Sequence, residues 1–285
     1  MKHKKKWTTL VLILGFLIGI TLAFYPAFSN FWNSNFATHA ITSYVEQVSG
    51  ISENDYKAIW SSAIEYNKKL SEYDGSFILP DELRDDYARN FNVMGDGLIG
   101  YIEISKIDVH LPVYHGTSDA VLQTGVGHLD WSALPTGGKG THCALSGHRG
   151  LLNAKLFTDL DVLREGDTFV LSVLGETLTY EVDRIRTVEP TDFSELVTDP
   201  EQDYCTLITC TPYGINSHRL LVRGHRIENA AATARVVSEA IIIDNRIVAL
   251  FMAVPILLLL TLLVLLKKPE QKFDKQRILS ELQRR

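Results

Sequence analysis

Cysteine is scarce in this 285-residue sequence, which contains only three. They are Cys143, Cys205 and Cys210, and no two of them have the close spacing that pairs metal ligands along a chain. A zinc site made of His142, Cys143 and Cys205 is conceivable, but no paired spacing supports it. The sequence therefore calls for no metal and no cofactor.

Positive charge is also scarce over most of the chain. The formal net charge is −6, and the two tails, residues 1–6 and 267–285, hold 11 of the 28 Lys and Arg. The part between them has 17 basic and 31 acidic residues, a net charge of −14. Because nucleic-acid binding needs a basic face, this balance argues against a nucleic-acid partner.

Two long uncharged apolar runs lie near the ends of the chain. Residues 7–26 follow four lysines, and residues 247–266 precede two more. Each run is long enough for a bilayer core, which needs about 20 residues, and basic flanks stay on the cytoplasmic side. We therefore predict a two-span protein of the cell membrane, with both termini cytoplasmic and the part between the spans extracellular. A cleaved signal peptide is the alternative for the first run, but no small-x-small cleavage site follows it.

Helical patterns fill the segment 27–70. Ser52 and Asp55 have the form of a capping box, and apolar residues at helical spacing follow them. From 71 to 97 the pattern is lost among turn signals, and an exposed segment of this length is typical of a lid or a linker. Residues 228–246, rich in Ala, are predicted to connect to the second apolar run.

The segment 98–227 has the texture of a β domain. Short β-prone runs alternate with turn signals, and seven or eight strands in about 130 residues predict a mostly β fold, a closed barrel or a sandwich. One short helix is predicted at 154–163, where three leucines share a face. The predicted strands are 101–104, 111–114, 141–146, 168–174, 177–188, 205–210 and 219–224.

The candidate chemistry lies in the stretch 203–226. A β-prone run ends at Cys210, Pro212 and Gly214 break it, and Arg219 opens the next run, so the thiol and the guanidinium can sit across one loop. A free thiol has a pKa near 8.5 and reacts as the thiolate. Cys210 therefore needs a positively charged neighbour.

Nine histidines compete to be that neighbour. His148 follows the end of a β-prone run, where a rigid scaffold can hold a side chain that faces solvent. His115 and His218 are the next candidates to line the same cleft. The other histidines are interpreted as surface or hydrogen-bonded structural residues.

These motifs resemble those of sortases, the membrane-anchored cysteine transpeptidases of Gram-positive bacteria. The resemblance covers about 98–227 and rests on ALSGHRG with His148, TLITC ending at Cys210, and TPYGINSHRLLVRG with Arg219, in that order. The segments GLIGYIEISKI, LPVYHGT and GVGHL, together with the second apolar run, resemble class C, the pilin-polymerising sortases. The resemblance implies a sortase-like closed β-barrel of seven to eight strands with short helices.

The resemblance also implies the roles of three residues. Cys210 would attack the Thr–Gly carbonyl of an LPXTG-like sorting signal, His148 would protonate the leaving amine, and Arg219 would stabilise the oxyanion. A pilin lysine amine would then resolve the thioacyl enzyme. Arg223 projects from the same strand face as Arg219, but the motif favours Arg219. Anchoring of surface proteins to a peptidoglycan amine is the alternative within the family, and a non-enzymatic surface scaffold is disfavoured because all three residues are present.

Cys143 and Cys205 raise a further question. In a sortase-like barrel their strands would be parallel neighbours, which would place the two thiols at the same height. A disulfide is chemically permitted outside the cell, but a bond across adjacent strands is geometrically demanding. Two buried free thiols are the alternative.

Class C sortases generally carry a lid whose Asp-Pro-aromatic motif plugs the cleft. The segment 71–92 is in the right place, but it has no such triplet. Asp74 with Phe77, or Asp81 in the reversed order Pro80-Asp81, are the nearest substitutes. We therefore predict a lid that covers the cleft weakly.

Overall fold

The structure, a computed structural model, describes residues 2–73, 75–152 and 154–229. Their strands form a closed eight-stranded barrel, which confirms the predicted closed barrel over the sandwich. The strands are β1 (Leu98–Ile104), β2 (Val109–His115), β3 (Val126–His128), β4 (Thr141–Ser146), β5 (Thr168–Val173), β6 (Glu176–Val188), β7 (Asp203–Thr211) and β8 (His218–Ile227).

The barrel closes in the order β1-β2-β3-β4-β7-β8-β6-β5. Strand β2 pairs with β3 and strand β4 pairs with β7 in parallel, while the other neighbours are antiparallel. Strands β4 and β7 are adjacent in the sheet, although β5 and β6 separate them in sequence. Because the two strands are parallel, their carboxyl-terminal ends lie side by side.

Two local predictions differ from the structure. Strand β3 was not predicted, because its three residues are too few to show a period. The predicted helix at 154–163 is wrong: only a 3₁₀ turn, Leu160–Val162, forms there, and Leu156 has φ +39°, a value that no right-handed helix allows. Leu156, Leu160 and Leu163 are all buried. The three leucines therefore anchor an irregular segment in the core, although their spacing is that of a helix.

Four helices accompany the barrel in the described residues: α1 (Lys2–Ser49), α2 (Glu53–Ser71), α3 (Arg84–Arg89) and α4 (Asp119–Thr124). The Ser52 cap is confirmed, since its Oγ accepts the Asp55 N–H at 3.2 Å. The segment 71–97 is exposed over much of its length, as expected, but it is also attached to the barrel. A 3₁₀ turn, Asp81–Leu83, leads into α3. Four apolar side chains of the segment pack on the barrel core, namely Leu79, Leu83, Tyr87 and Phe91.

The predicted membrane spans are not confirmed. Within the part of the chain that the structure describes, no helix combines the length and apolar character that a bilayer crossing requires. Residues 7–26 lie within α1. The second predicted span, 247–266, lies outside the described residues, as do the tail 267–285 and the connector beyond residue 229.

Tyr44 joins α1 to the barrel. Its side chain is buried, its hydroxyl donates to the Ile99 carbonyl at 2.8 Å, and the Leu174 N–H donates to the same hydroxyl at 2.8 Å. The pairing of β1 with β5 begins only at Tyr101 and Ser172. The Tyr44 hydroxyl therefore bridges the backbone of the two strands where their own ladder stops.

Removing this hydroxyl should destabilise the protein. In Tyr44→Phe a buried carbonyl and a buried N–H both lose their partner, so we expect the free energy of unfolding to fall by about 1–3 kcal/mol. Urea unfolding followed by fluorescence measures the change. The control is Tyr101→Phe, since the Tyr101 hydroxyl has no hydrogen-bond partner among the described residues; equal losses in the two variants would contradict the bridging role.

Candidate active site

Cys210 and Arg219 face each other across the β7–β8 ladder. They are directly paired in the antiparallel register, so their side chains project from the same side of the sheet. Both side chains are half-buried. The predicted approach of the thiol and the guanidinium across one hairpin is therefore present.

The register of β4 and β7 brings His148 beside Cys210. The last parallel pair is Ser146 with Ile208, and His148 and Cys210 each lie two residues further on, on the same side of the sheet. The Gly147 N–H donates to the Ile208 carbonyl at 3.0 Å, and the Thr209 hydroxyl donates to the Gly147 carbonyl at 2.8 Å. Because adjacent strands are about 4.8 Å apart, this register places the loop that carries His148 next to the end of β7.

Gly147 fixes the turn that carries His148. A Cβ at this position would lie 2.6 Å from Cδ2 of Phe157, whose ring is fully buried. The Phe157 N–H also donates to the His148 carbonyl at 3.1 Å. The close approach of strand and ring excludes any side chain at 147 and holds the His148 backbone against the core.

Arg149 belongs to the loop after His148 and contacts the loop after Cys210. Its buried guanidinium pairs with Asp161 and lies 5.7 Å from the centre of the Tyr213 ring. A Cβ at Gly150 would lie 3.1 Å from the same ring. The loop after His148 and the loop after Cys210 thus form one packed unit.

The two arginines on the outer face of β8 have different partners. Arg223 forms a double hydrogen bond with Asp183, at 3.0 and 2.8 Å, and lies over the Tyr204 ring. Arg219 donates only to the carbonyls of Asn216 and His218, and in the described part of the chain no carboxylate lies within ion-pairing distance of it. Arg219 is therefore the guanidinium that is available to a substrate.

A groove of about 230 Å³ runs beside these residues. Its lining is mainly apolar, and all of it comes from the barrel strands and their connections rather than from the segment 71–97. This shape suits an extended apolar peptide with one polar or charged end. The lining includes Leu122, Ser146, Phe193, Ile208, Arg219 and Leu221.

One wall of the groove, the β6–β7 connection, is held in place by His142. The His142 Nδ1–H donates to the Val197 carbonyl at 3.1 Å, and Nε2 accepts from the Thr206 hydroxyl at 2.7 Å. Burial lowers the pKa of His142 to about 4, so the ring is neutral and keeps this tautomer. Glu195 adds a second attachment through its ion pair with Arg184 at 3.0 Å. No local motif marks these residues, and sequence reasoning missed their role.

Two other predicted cleft residues lie elsewhere. His115 is beneath α3, with its ring edge-on to Tyr87 at 4.6 Å. His218 is bonded to Ser217 and Glu189, at 2.8 and 3.2 Å. Neither residue lines the groove.

Among the predicted lid residues that the structure describes, neither Phe77 nor Asp81 plugs the groove. Phe77 stacks on Phe193 at 4.7 Å and meets Trp131 edge-on at 5.0 Å, so it supports the groove wall from the side. Asp81 is exposed and pairs with Arg84 at 2.7 Å, not with Arg219. Asp74 lies outside the described residues.

Cys143 and Cys205 are directly paired in the β4–β7 register, as the expected parallel strands require. Both are buried and both are free thiols, so the structure contains the unbonded alternative and not the disulfide. They face the core, whereas His142, one residue before, faces the outer side of the sheet. A shared zinc site is therefore ruled out by strand alternation, and the described residues contain no group of three metal-ligating side chains.

Acid should destabilise the fold through its buried histidines. Burial lowers the pKa of both His142 and His115 to about 4, below the usual value of about 6.5. The unfolded chain therefore takes up protons first as the pH falls, and the free energy of unfolding should decrease from about pH 6.5 to about pH 4. Chemical unfolding at several pH values measures this slope. It should be shallower in His142→Gln and unchanged in a control at the exposed His39, His39→Gln; a wild-type slope in His142→Gln would contradict the assignment.

Known proteins share this fold. A family model described as the sortase domain matches residues 102–227. Sortase D from Bacillus subtilis is 31% identical over 131 residues, which are 45% of this chain and 63% of that protein. The chain thus spans less than two thirds of that relative.

Solved structures extend the match. Sortase C1 from Streptococcus agalactiae is 50% identical, with a TM-score of 0.66 over 67% of this chain and 100% of that chain. Sortase C from Clostridium perfringens, solved with the C-terminal cell wall sorting motif, is 41% identical, with a TM-score of 0.60 over 68% of this chain and 100% of that chain. These matches show that the chain belongs to the sortase family of cysteine transpeptidases and that it resembles the class C branch.

Proposed function

We propose that this protein cleaves an LPXTG-like sorting signal between Thr and Gly and joins the new carboxyl end to a lysine amine of a pilin. The observation that carries the proposal is the strand register, which pairs Cys210 with Arg219 and places the loop of His148 next to the end of β7, beside an apolar groove. The likeness to a class C sortase solved with a cell wall sorting motif supports the substrate class.

The first half of the reaction forms a thioacyl enzyme. The Cys210 thiolate attacks the Thr carbonyl, and the C–N bond to Gly breaks as the His148 imidazolium gives its proton to the leaving amine. Arg219, which has no carboxylate partner in the described residues, donates to the oxyanion. The apolar groove holds the Leu-Pro end of the signal.

The second half transfers the acyl group. The lysine amine attacks the thioester, neutral His148 takes the proton from the amine, and the Cys210 thiolate leaves. An isopeptide bond forms and the thiol returns to its starting state. Water in place of the amine would give hydrolysis.

We also place the protein in the cell membrane. The uncharged apolar runs 7–26 and 247–266 would be its spans, and the lysines that flank them would keep both termini cytoplasmic. The barrel would then be extracellular, where sorting signals and acceptor amines meet it. Protease treatment of intact cells tests this arrangement, because only the barrel should be degraded.

The identity of the acceptor is tested by the product. The full chain is incubated with a sorting peptide and with either a lysine-bearing pilin domain or a peptidoglycan amine, and the products are identified by mass. We expect the peptide to be joined to the pilin lysine, and no product with Cys210→Ala. Transfer only to the peptidoglycan amine would establish wall anchoring instead, and binding without cleavage would establish a non-enzymatic scaffold.

The two arginines of β8 should respond differently to substitution. Arg219→Ala should lower kcat/KM for the sorting peptide by about 10²–10³-fold, because it removes a donor to the oxyanion. Arg219→Lys should recover little, since a point charge does not reproduce the planar fork. Arg223→Ala is the matched control: it should cost stability, because Asp183 loses its partner, but little turnover. The reverse order of effects would show that Arg223 holds the catalytic role.

A further inference from the structure

Helix α1 runs along the barrel in the direction opposite to β1. Tyr44 lies at the start of β1, where its hydroxyl meets the Ile99 carbonyl. Asn30 lies past the other end of that strand, because its Oδ1 accepts the Lys155 N–H at 2.9 Å and Lys155 Nζ donates to the Ile107 carbonyl at 2.6 Å. The amino-terminal half of α1 therefore comes from the end of the barrel to which Ile107 and Lys155 belong.

The catalytic loops lie at this same end. Lys155 belongs to the loop that begins at His148, and the Phe157 N–H closes this loop onto the His148 carbonyl at 3.1 Å. The Arg149–Tyr213 contact joins it to the loop that follows Cys210. Asn30 is four residues beyond the apolar run 7–26, a distance of about 6 Å along a helix.

The two catalytic loops expose large apolar side chains. Leu152 is 72% exposed, Ile215 is 73% exposed and Tyr213 is 59% exposed; these three residues are called the apolar loop face. At the opposite end of the barrel, the described turns 129–140, 174–175 and 199–202 expose no large apolar side chain. Single exposed apolar side chains occur elsewhere, such as Ile78 and Val197, but the three of the apolar loop face belong to adjoining loops at the end from which α1 arrives.

We propose that the apolar loop face contacts the surface of the lipid bilayer. The proposal rests on the membrane anchoring proposed above: an apolar run that ends about 6 Å before Asn30 leaves the catalytic loops at the level of the lipid headgroups. Aliphatic and aromatic side chains at this level bury apolar area at the headgroup–acyl boundary.

Electrostatic attraction has little part in this contact. Two basic side chains near the loop face are paired with carboxylates, Arg149 with Asp161 and Lys155 with Asp159. Arg219, which has no carboxylate partner in the described residues, donates to the carbonyls of Asn216 and His218. The contact therefore depends on apolar burial and does not require anionic lipid. Its consequence is that the thiol of Cys210 works beside the membrane, on substrates that the membrane itself holds.

The test uses the full chain in phosphatidylcholine vesicles. Photoactivatable phosphatidylcholine, with the reactive group near the headgroup end of the acyl chain, should crosslink to segments 150–152 and 213–216 and not to the turn 137–140. In Leu152→Ser with Ile215→Ser, cleavage of a lipid-anchored sorting peptide should fall about tenfold, because two aliphatic side chains no longer bury apolar area. Cleavage of the same peptide in soluble form should be unchanged.

A double variant at two other exposed apolar positions is the control. Val45→Ser with Ile64→Ser changes two exposed helix residues outside the catalytic loops, and it should leave both rates unchanged. Equal crosslinking of 137–140 and 213–216, or an equal loss on soluble and anchored peptide, would overturn the proposal. If the wild type cleaves neither peptide, the proposed function fails, and the crosslinking pattern still decides whether the loop face meets lipid.

Discussion

The parallel pairing of β4 with β7 is the interaction on which the catalytic centre depends. Six residue pairs, from Thr141 with Asp203 to Ser146 with Ile208, set the register. A slip by one residue would turn Cys210 to the core side of the sheet. The buried core face of the two strands, which includes Cys143 and Cys205, opposes such a slip, and the closed barrel leaves no free edge at which β7 could pair elsewhere.

On the outer face of the same sheet, the two arginines of β8 differ in their ion pairs. Asp183 pairs with Arg223, and no carboxylate in the described residues pairs with Arg219, so one of two similar arginines is held by an ion pair and the other is not. Neutral His142 and charged Glu195 fix the groove wall from two sides. The candidate site is thus supported by His142, Asp183 and Glu195, which do not line the groove.

Sequence reasoning succeeded where a local residue pattern determines the backbone conformation. The strand runs, the Ser52 cap and the positions of Cys210 and Arg219 in one hairpin belong to this class. It predicted a helix at 154–163, where leucines at helical spacing instead anchor an irregular segment in the core. At 71–97 it did not identify the apolar side chains that pack on the barrel, because polar residues surround them in the sequence. In both places burial is decided by what the segment packs against, and residue spacing does not record that.

By itself, the sequence determined that Cys210 and Arg219 lie in one hairpin and that the domain has β character, because strand alternation and turn residues act over a few positions. Only the tertiary structure decided that the loop of His148 lies next to the end of β7 and that Arg223 has a carboxylate partner while Arg219 has none in the described residues. It also decided that His115 and His218 lie away from the groove, and that the loops after His148 and Cys210 share one end of the barrel with Asn30 of α1. These facts depend on contacts between residues tens of positions apart. The physical reason is that strand order and register are set by packing of the whole closed barrel.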